Sequence, residues 1–221
     1  MMISSILLMN DLEKLVRIFE KFPGVGTRQA RRFAYHVLSL PDQDVQDIQT
    51  YLVSIRDSVI ECTECRRYFT THHESGTICE ICQNQNRDRE KLIVVAHDHD
   101  FQAIERSGVY NGLYFILGGT IPLLAENEIK RVRINGLKQL VAKRITQDNL
   151  SEIILGFPVN PDGENTARFV CKHLAETLER KNIKIVQLGR GLSTGSELEY
   201  ADAETLKNAF GNRTSHDTGI V

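Results

Sequence analysis

The sequence predicts an α/β protein that carries a small helical module at its N-terminus and a four-cysteine module before its sheet. Apolar residues recur at helical spacing near the N-terminus. Four of the five cysteines form two Cys-x-x-Cys pairs. From residue 91 onward, short apolar runs alternate with helical patterns, which is typical of a mainly parallel sheet. The predicted divisions are the helical module at 1–58, the cysteine module at 59–90, the α/β domain at 91–188, and a C-terminal loop, short helix and tail at 189–221.

The first two helices are predicted on either side of a glycine turn. A cap at Asn10 or the next residue begins the first helix, and Pro23 ends it. Gly24 and Gly26 form the turn, after which Thr27 is expected to cap the second helix. The second helix is expected to turn five apolar residues inward: Ala30, Phe33, Ala34, Val37 and Leu38. A third helix is predicted from about residue 41 to 57, leading directly into the cysteine module.

Basic residues concentrate in this helical module. Between positions 13 and 32, six basic residues stand against two acidic ones, an excess that the rest of the chain cancels. Glycines let a backbone approach closely, and the first amides of a helix attract an anion. This combination suits a DNA phosphate, whereas a plain helical hairpin and a solvated basic face are the alternatives. The candidate phosphate-binding residues are Lys21, Gly24, Gly26, Arg28, Arg31 and Arg32.

The cysteine spacing predicts a structural zinc site. Cys62 and Cys65 form the first pair, Cys79 and Cys82 the second, and thirteen residues separate the pairs. Each pair makes a tight turn with both thiolates on one side, and two such turns complete a tetrahedral sulfur site for one Zn²⁺. Two disulfides or four unrelated thiols are the alternatives. Two histidines between the pairs are alternative ligands in principle, but four thiolates are already present, so we expect both to be exposed: His72 and His73.

The composition is that of a folded protein without a strong charge bias. The 221 residues are 41% apolar and 25% charged, and the formal net charge of −2 argues against a general nucleic-acid coat protein. The apolar stretch at residues 3–9 is short and contains two serines, so it predicts neither a signal peptide nor a membrane span. We therefore expect a cytoplasmic location, where thiols stay reduced and free to bind metal.

The second half of the chain predicts four strands, at residues 92–96, 113–117, 153–157 and 183–188. Helices are expected between them, at residues 101–106, around 137–144 and at 163–180. Ligand sites in such sheets lie beyond the carboxyl ends of the strands. Acidic residues follow the first and third strands, and they suit Mg²⁺ or, alternatively, cap the helices that begin there. These acidic residues are Asp98, Asp100, Asp162 and Glu164.

Two sequence stretches and the order of the modules carry a resemblance to a known family. The glycine turn reads Phe-Pro-Gly-Val-Gly at residues 22–26, and residues 191–202 read Gly-Leu-Ser-Thr-Gly-Ser-Glu-Leu-Glu-Tyr-Ala-Asp. Over residues 12–210 the chain resembles the RecR recombination-mediator family. The resemblance implies a helix-hairpin-helix DNA-binding module, a zinc finger and a Toprim domain. It also implies a homo-oligomeric ring or clamp that acts on DNA with RecO-like and RecF-like proteins.

One departure from the Toprim pattern bears on catalysis. Asp162 and Glu164 match the acidic pair of the pattern, but Ala96 stands where a glutamate directly follows the first strand. In Toprim enzymes that glutamate acts as a general acid and base, which alanine cannot do. The resemblance then implies that the acidic face, which also contains Asp98 and Asp100, contacts a RecO-like partner.

We therefore expect a non-enzymatic, DNA-binding recombination mediator in DNA repair that binds largely independently of DNA sequence. The rival hypothesis is a Mg²⁺-dependent Toprim nuclease or primase-like enzyme. A third is a zinc-ribbon regulator that does not encircle DNA.

Overall fold

The computed structural model describes residues 10–70, 76–123, 132–179, 181–189, 191–192, 195 and 197–213. Contacts divide the chain into two compact units, Met1–Val59 and Ile60–Val221. The apolar start at residues 3–9 and the two histidines at positions 72 and 73 lie outside the described residues. Across the described ranges, no helix combines the length and the hydropathy that crossing a membrane requires.

The first unit opens with a helical hairpin made of α1 (Asp11–Phe19) and α2 (Thr27–Val37). Asn10 caps α1, as predicted, because its Oδ1 accepts a hydrogen bond from the amide of Glu13 at 2.9 Å. The predicted cap of α2 is wrong by one residue. Gly26 is the capping position, and Thr27 is already the first helical residue.

The seam between α1 and α2 is narrow. Ala30 and Ala34, one turn apart on α2, are fully buried, and their small side chains let the two helices approach closely. Phe33 packs edge-on against Phe19, with 5.8 Å between ring centroids, yet stays 38% exposed. Leu38 is 70% exposed, so its predicted inward orientation is wrong. Two packed helices bury only the side chains that lie between them, and Leu38 lies outside this contact.

The third helix, α3 (Asp42–Ser58), ends one residue beyond its predicted end. Its apolar residues keep their helical spacing, but none of the residues of α3 is buried within the described part of the chain. Leu52 is 63% exposed and Ile55 is 54% exposed.

The second unit begins with three short elements that surround the cysteines: β1 (Val59–Glu61), β2 (Tyr68–Thr70) and α4 (Glu80–Gln83). The strands β1 and β2 pair with each other in a two-stranded sheet. The elements of the larger α/β layer follow in chain order: β3 (Asp88–Val95), α5 (Asp98–Ser107), β4 (Gly112–Ile116), α6 (Ile134–Gln147), β5 (Glu152–Gly156), α7 (Pro161–Leu178) and β6 (Lys184–Gln187).

The larger sheet is parallel, with the strand order β4-β3-β5-β6. All four predicted strands are present, which confirms the α/β prediction. β3 begins earlier than predicted, at Asp88, because its first half is polar and partly exposed and therefore lacks the apolar signature. The order places the carboxyl ends of β3 and β5 next to each other, where the chain reverses its direction of winding.

Side chains along the strands alternate between two separate cores. Leu92 and Val94 of β3 face a core that includes buried residues of α6 and α7. Ile93 and Val95 face the opposite core, to which α5 contributes Phe101. All four paired cysteines belong to this second core, together with apolar neighbours in the cysteine module. The cysteine module therefore packs as a layer on one face of the parallel sheet.

The C-terminal segment forms a 3₁₀ turn at Leu198–Tyr200 and a helix, α8 (Ala203–Gly211). Tyr200 is 79% exposed and Phe210 is 68% exposed. Residues 214–221 lie outside the described residues.

Candidate metal centre and nucleic-acid interface

The four paired cysteines converge on one point. Their sulfur atoms all lie within 4.8 Å of one another, and all four side chains are buried. The closest sulfurs belong to different pairs: Cys65 and Cys79 are 3.5 Å apart, and Cys62 and Cys82 are 4.0 Å apart. Four sulfurs around one point fit a single tetrahedral metal ion better than two disulfides, which would form two separate pairs. Thiolate donors of this kind suit Zn²⁺.

Backbone hydrogen bonds shape the cluster. The amide of Cys62 donates to the carbonyl of Arg67 at 2.8 Å, and the amide of Arg66 donates to the carbonyl of Cys62 at 3.0 Å. Arg66 adopts a φ of +64°, which turns the chain back sharply after Cys65. The amide of Cys79 donates to the sulfur of Cys62 at 3.4 Å. Hydrogen bonds from the other three thiols and from this amide lower the pKa of Cys62 and favour its thiolate.

Charged side chains fasten the cysteine module to the sheet layer. Glu64, inside the first Cys-x-x-Cys turn, pairs with the buried Arg144 and with Lys143 of α6. Arg144 also pairs with Asp148 at 2.6 Å, and Asp148 pairs with Arg89 of β3 at 2.6 Å. These ion pairs form one network between the first cysteine turn and α6.

Two backbone contacts add to this attachment. The amide of Ile116 donates to the carbonyl of Cys65 at 2.8 Å. The amide of Tyr68 donates to Asp98 Oδ1 at 2.9 Å. The cysteine cluster is therefore anchored to β4 and α5 as well as to α6.

The glycine turn has the geometry that a phosphate contact requires. Gly24 has a φ of +77°, a conformation that side-chain-bearing residues rarely adopt. Gly26 caps α2 without a side-chain hydrogen bond, so the first amides of α2 remain available to an anion. Arg28 and Arg32 are both exposed and lie one turn apart on this helix.

The other two basic candidates lie near this turn. Lys21 is exposed and immediately precedes the turn. Arg31 is also exposed, and with Arg17 and Tyr35 it lines a groove of about 490 Å³ between α1 and α2. The structure thus places all the sequence-predicted basic candidates on the surface of the first unit.

The acidic candidates lie at the carboxyl ends of β3 and β5, as predicted, but backbone amides engage three of them. Asp98 accepts from Tyr68, as described above, and Asp100 Oδ2 accepts from the amide of His97 at 2.9 Å. Asp162 Oδ1 accepts from the amide of Leu123 at 3.3 Å. Ala96 is fully buried directly after β3, where the missing glutamate would stand. Glu164 is half-buried in the first turn of α7.

The described residues contain one group of three or more histidine, cysteine, aspartate or glutamate side chains that could share a metal ion. That group is the four cysteines. The four acidic candidates do not form a second such group within the described ranges.

Sequence reasoning missed the charged residues that enclose the cluster. Arg144 is 2% exposed and Arg67 is 8% exposed, although arginine is rarely buried. Their carboxylate partners lie far away in the sequence: Glu64 is 80 residues from Arg144, and Glu80 is 13 residues from Arg67. A single sequence contains no signal that pairs residues at such distances.

The hairpin, the cysteine cluster and the parallel sheet define a protein that joins a helix-hairpin-helix module to a Toprim-type α/β domain. Family models support each part: "RecR, helix-hairpin-helix" matches residues 12–55, "Toprim domain" matches 90–189, and "RecR, C-terminal" matches 191–214. The recombination protein RecR of Lactobacillus johnsonii is 34% identical over 203 residues, covering 92% of this chain and 96% of that protein. The RecR proteins of Streptococcus thermophilus and Staphylococcus aureus show the same identity and coverage. The chain belongs to the RecR family of recombination proteins.

Proposed function

We propose that this protein is a DNA-binding mediator of recombinational repair that holds DNA through its helical hairpin and catalyses no reaction itself. The exposed glycine turn, with the open N-terminus of α2 and two arginines one turn apart, is the observation that carries this proposal. The relatives are named recombination proteins, which supports a role in DNA recombination.

DNA contact through this turn is expected to depend little on base sequence. Backbone amides and arginines at a helix N-terminus contact phosphates, which are identical at every nucleotide. Arg28 and Arg32 would neutralise neighbouring phosphates, while the amides after Gly26 would bind a phosphate oxygen directly. The remaining acidic surface limits binding to this patch, since the chain as a whole has a net charge of −2.

The cysteine cluster is proposed to hold one structural Zn²⁺. The four sulfur donors complete a closed coordination shell, which leaves no open position for a substrate. A zinc ion there would supply structural stability only. The residues of this chain that would hold it are Cys62, Cys65, Cys79 and Cys82.

The proposal that the protein catalyses no reaction rests on the residues at the carboxyl ends of β3 and β5. Ala96 has no ionisable group, and Asp98, Asp100 and Asp162 already accept hydrogen bonds from backbone amides. The rival nuclease hypothesis predicts Mg²⁺-dependent cleavage of supercoiled DNA that Asp162→Asn abolishes. We expect cleavage neither by the unmodified protein nor by Asp162→Asn.

A homo-oligomeric ring or clamp is proposed because one hairpin offers few phosphate contacts. Several hairpins on one DNA molecule would raise the overall affinity through effective concentration. The acidic residues Asp98, Asp100, Asp162 and Glu164 are proposed as the contact for a RecO-like protein, with a RecF-like protein as a further partner. Native mass measurement with and without DNA tests the assembly, and a monomer at working concentration would contradict it.

The salt dependence of DNA binding tests the hairpin assignment directly. Arg28→Ala combined with Arg32→Ala should lower the slope of log affinity against log salt by about 1.8, because each lost phosphate contact removes about 0.9. The control is Arg106→Ala combined with Arg168→Ala, which removes the same charge from exposed helical positions in the other unit. If both double variants change the slope equally, the hairpin is not the DNA contact.

A further inference from the structure

The proposed zinc site would place a net negative charge in the interior of the protein, and nearby groups must compensate that charge. Four thiolates around one Zn²⁺ carry a net charge of −2, and the four cysteines are buried. Buried charge is costly unless a counter-charge or hydrogen bonds compensate it. The following inference rests on the proposed zinc site and concerns the residue that supplies this compensation.

Arg67 is held directly beside the cluster. It is 8% exposed, and its carbonyl accepts the hydrogen bond from the amide of Cys62 that closes the first cysteine turn. Its guanidinium lies over two aromatic rings, 5.0 Å from the centroid of Phe101 and 5.7 Å from that of Phe69. These contacts fix the plane of the guanidinium within the core that contains the cysteines.

The guanidinium faces two negative groups at the start of α4. It pairs with the carboxylate of Glu80 and lies within reach of the sulfur of Cys79. Its Nε is buried without a hydrogen-bond partner among the described residues. The neighbouring Arg66 instead pairs with Glu61 at 3.2 Å.

We propose that Arg67 is a positioning residue of the metal centre, which orients the Cys79 thiolate and offsets the negative charge of the zinc–thiolate cluster. Residues that contact metal ligands from outside the coordination shell commonly change metal affinity 10- to 100-fold when they are replaced. Glu80 lies on the solvent side of the guanidinium, and 72% of its side chain is exposed.

The rate of zinc release from the zinc-loaded, full-length protein tests this role. The reduced protein is mixed with an excess of a coloured chelator, and the zinc transferred is followed over time. Arg67→Met should accelerate release about tenfold or more. Arg66→Met is the matched control, because it removes the same charge from an adjacent side chain that pairs with Glu61, and it keeps the backbone hydrogen bond to Cys62. Its release rate should stay near that of the unmodified protein.

Glu80→Gln separates charge compensation from a purely structural ion pair. If Arg67 acts on the cluster, Glu80→Gln leaves its charge in place and zinc release is no faster than in the unmodified protein. If Glu80→Gln releases zinc as fast as Arg67→Met does, Arg67 acts through its carboxylate partner and the inference is overturned. This comparison holds even if Arg67→Met folds poorly, because faster release from Glu80→Gln alone contradicts the inference.

The metal content of the unmodified protein tests the zinc site separately from the role of Arg67. About one zinc per chain with unchanged release in Arg67→Met overturns the role of Arg67 alone. A reduced protein that binds no zinc overturns the zinc site and this inference together.

Discussion

Replacing Arg144 with methionine should destabilise the second unit substantially. Arg144 is 2% exposed and joins two carboxylates, Glu64 and Asp148, whose side chains are 13% and 10% exposed. Arg144→Met keeps an unbranched, flexible side chain but removes the charge that both carboxylates share. Both mostly buried carboxylates then lose a positive partner that offsets the free-energy cost of removing their charge from water, so the substitution lowers the stability of the fold.

The expected magnitude follows from what remains after the substitution. Breaking a buried ion pair typically costs 3–5 kcal/mol, and in this network each carboxylate keeps a second cation. Lys143 still pairs with Glu64, and Arg89 still pairs with Asp148 at 2.6 Å. We therefore expect the low end of that range, about 3 kcal/mol. For a chain of this length, that corresponds to a lowering of Tm by about 6–12 °C.

Urea unfolding measures this loss. The near-ultraviolet circular dichroism of tyrosine is a suitable signal, because Tyr114 is buried in the second unit. Lys143→Met is the matched control: it pairs with the same Glu64, but its side chain is 45% exposed, so the expected cost is at most about 1 kcal/mol. Equal losses from the two variants would refute the argument that burial of Arg144 gives the network its stability.

Chelation of the metal under reducing conditions should loosen the α/β domain as well as the cysteine module, because both share one core; the measurement is hydrogen exchange of β3 amides, and unchanged protection contradicts the shared core. Gly163→Ala should cost about 3 kcal/mol in urea unfolding, since a β-carbon there would overlap the carbonyl oxygen of Pro158. An unchanged unfolding midpoint would show that this close approach relaxes freely. A hydrogen bond from Arg87 lowers the pKa of Glu105, so Glu105 stabilises the fold above its unfolded pKa of about 4.3 and loses that contribution as the pH falls through its lower folded pKa. The difference in stability between the unmodified protein and Glu105→Gln should accordingly shrink in acid, and a difference independent of pH would contradict the linkage.

Local patterns allowed much of the fold to be predicted. The cap at Asn10, the helical spacing on either side of the glycine turn and the four apolar strands all depend on residues close together in the chain. The start of α2 was predicted one residue too late, because the prediction relied on the sequence pattern of a helix cap. A threonine cap and a glycine cap leave nearly the same sequence signature, and only the backbone geometry distinguishes them.

The candidate sites were predictable in part. The spacing of the cysteines predicted their convergence, which the structure confirms, because short loops limit where each pair can point. The spacing could not show that the cysteines share a core with Ile93 and Val95 of the sheet. Nor did the acidic residues after β3 reveal that Asp98 already accepts the amide of Tyr68 from the cysteine module.

The sequence by itself determined the main helices and strands, the cysteine cluster and the basic turn, since each follows from periodicity or spacing over a few residues. Only the tertiary structure decided which charges are buried. Arg67 and Arg144 read as surface residues in the sequence, yet both lie in the interior beside carboxylates from other segments. The physical reason is that a charge can be buried only where partners compensate it, and the fold, not the local sequence, brings those partners together.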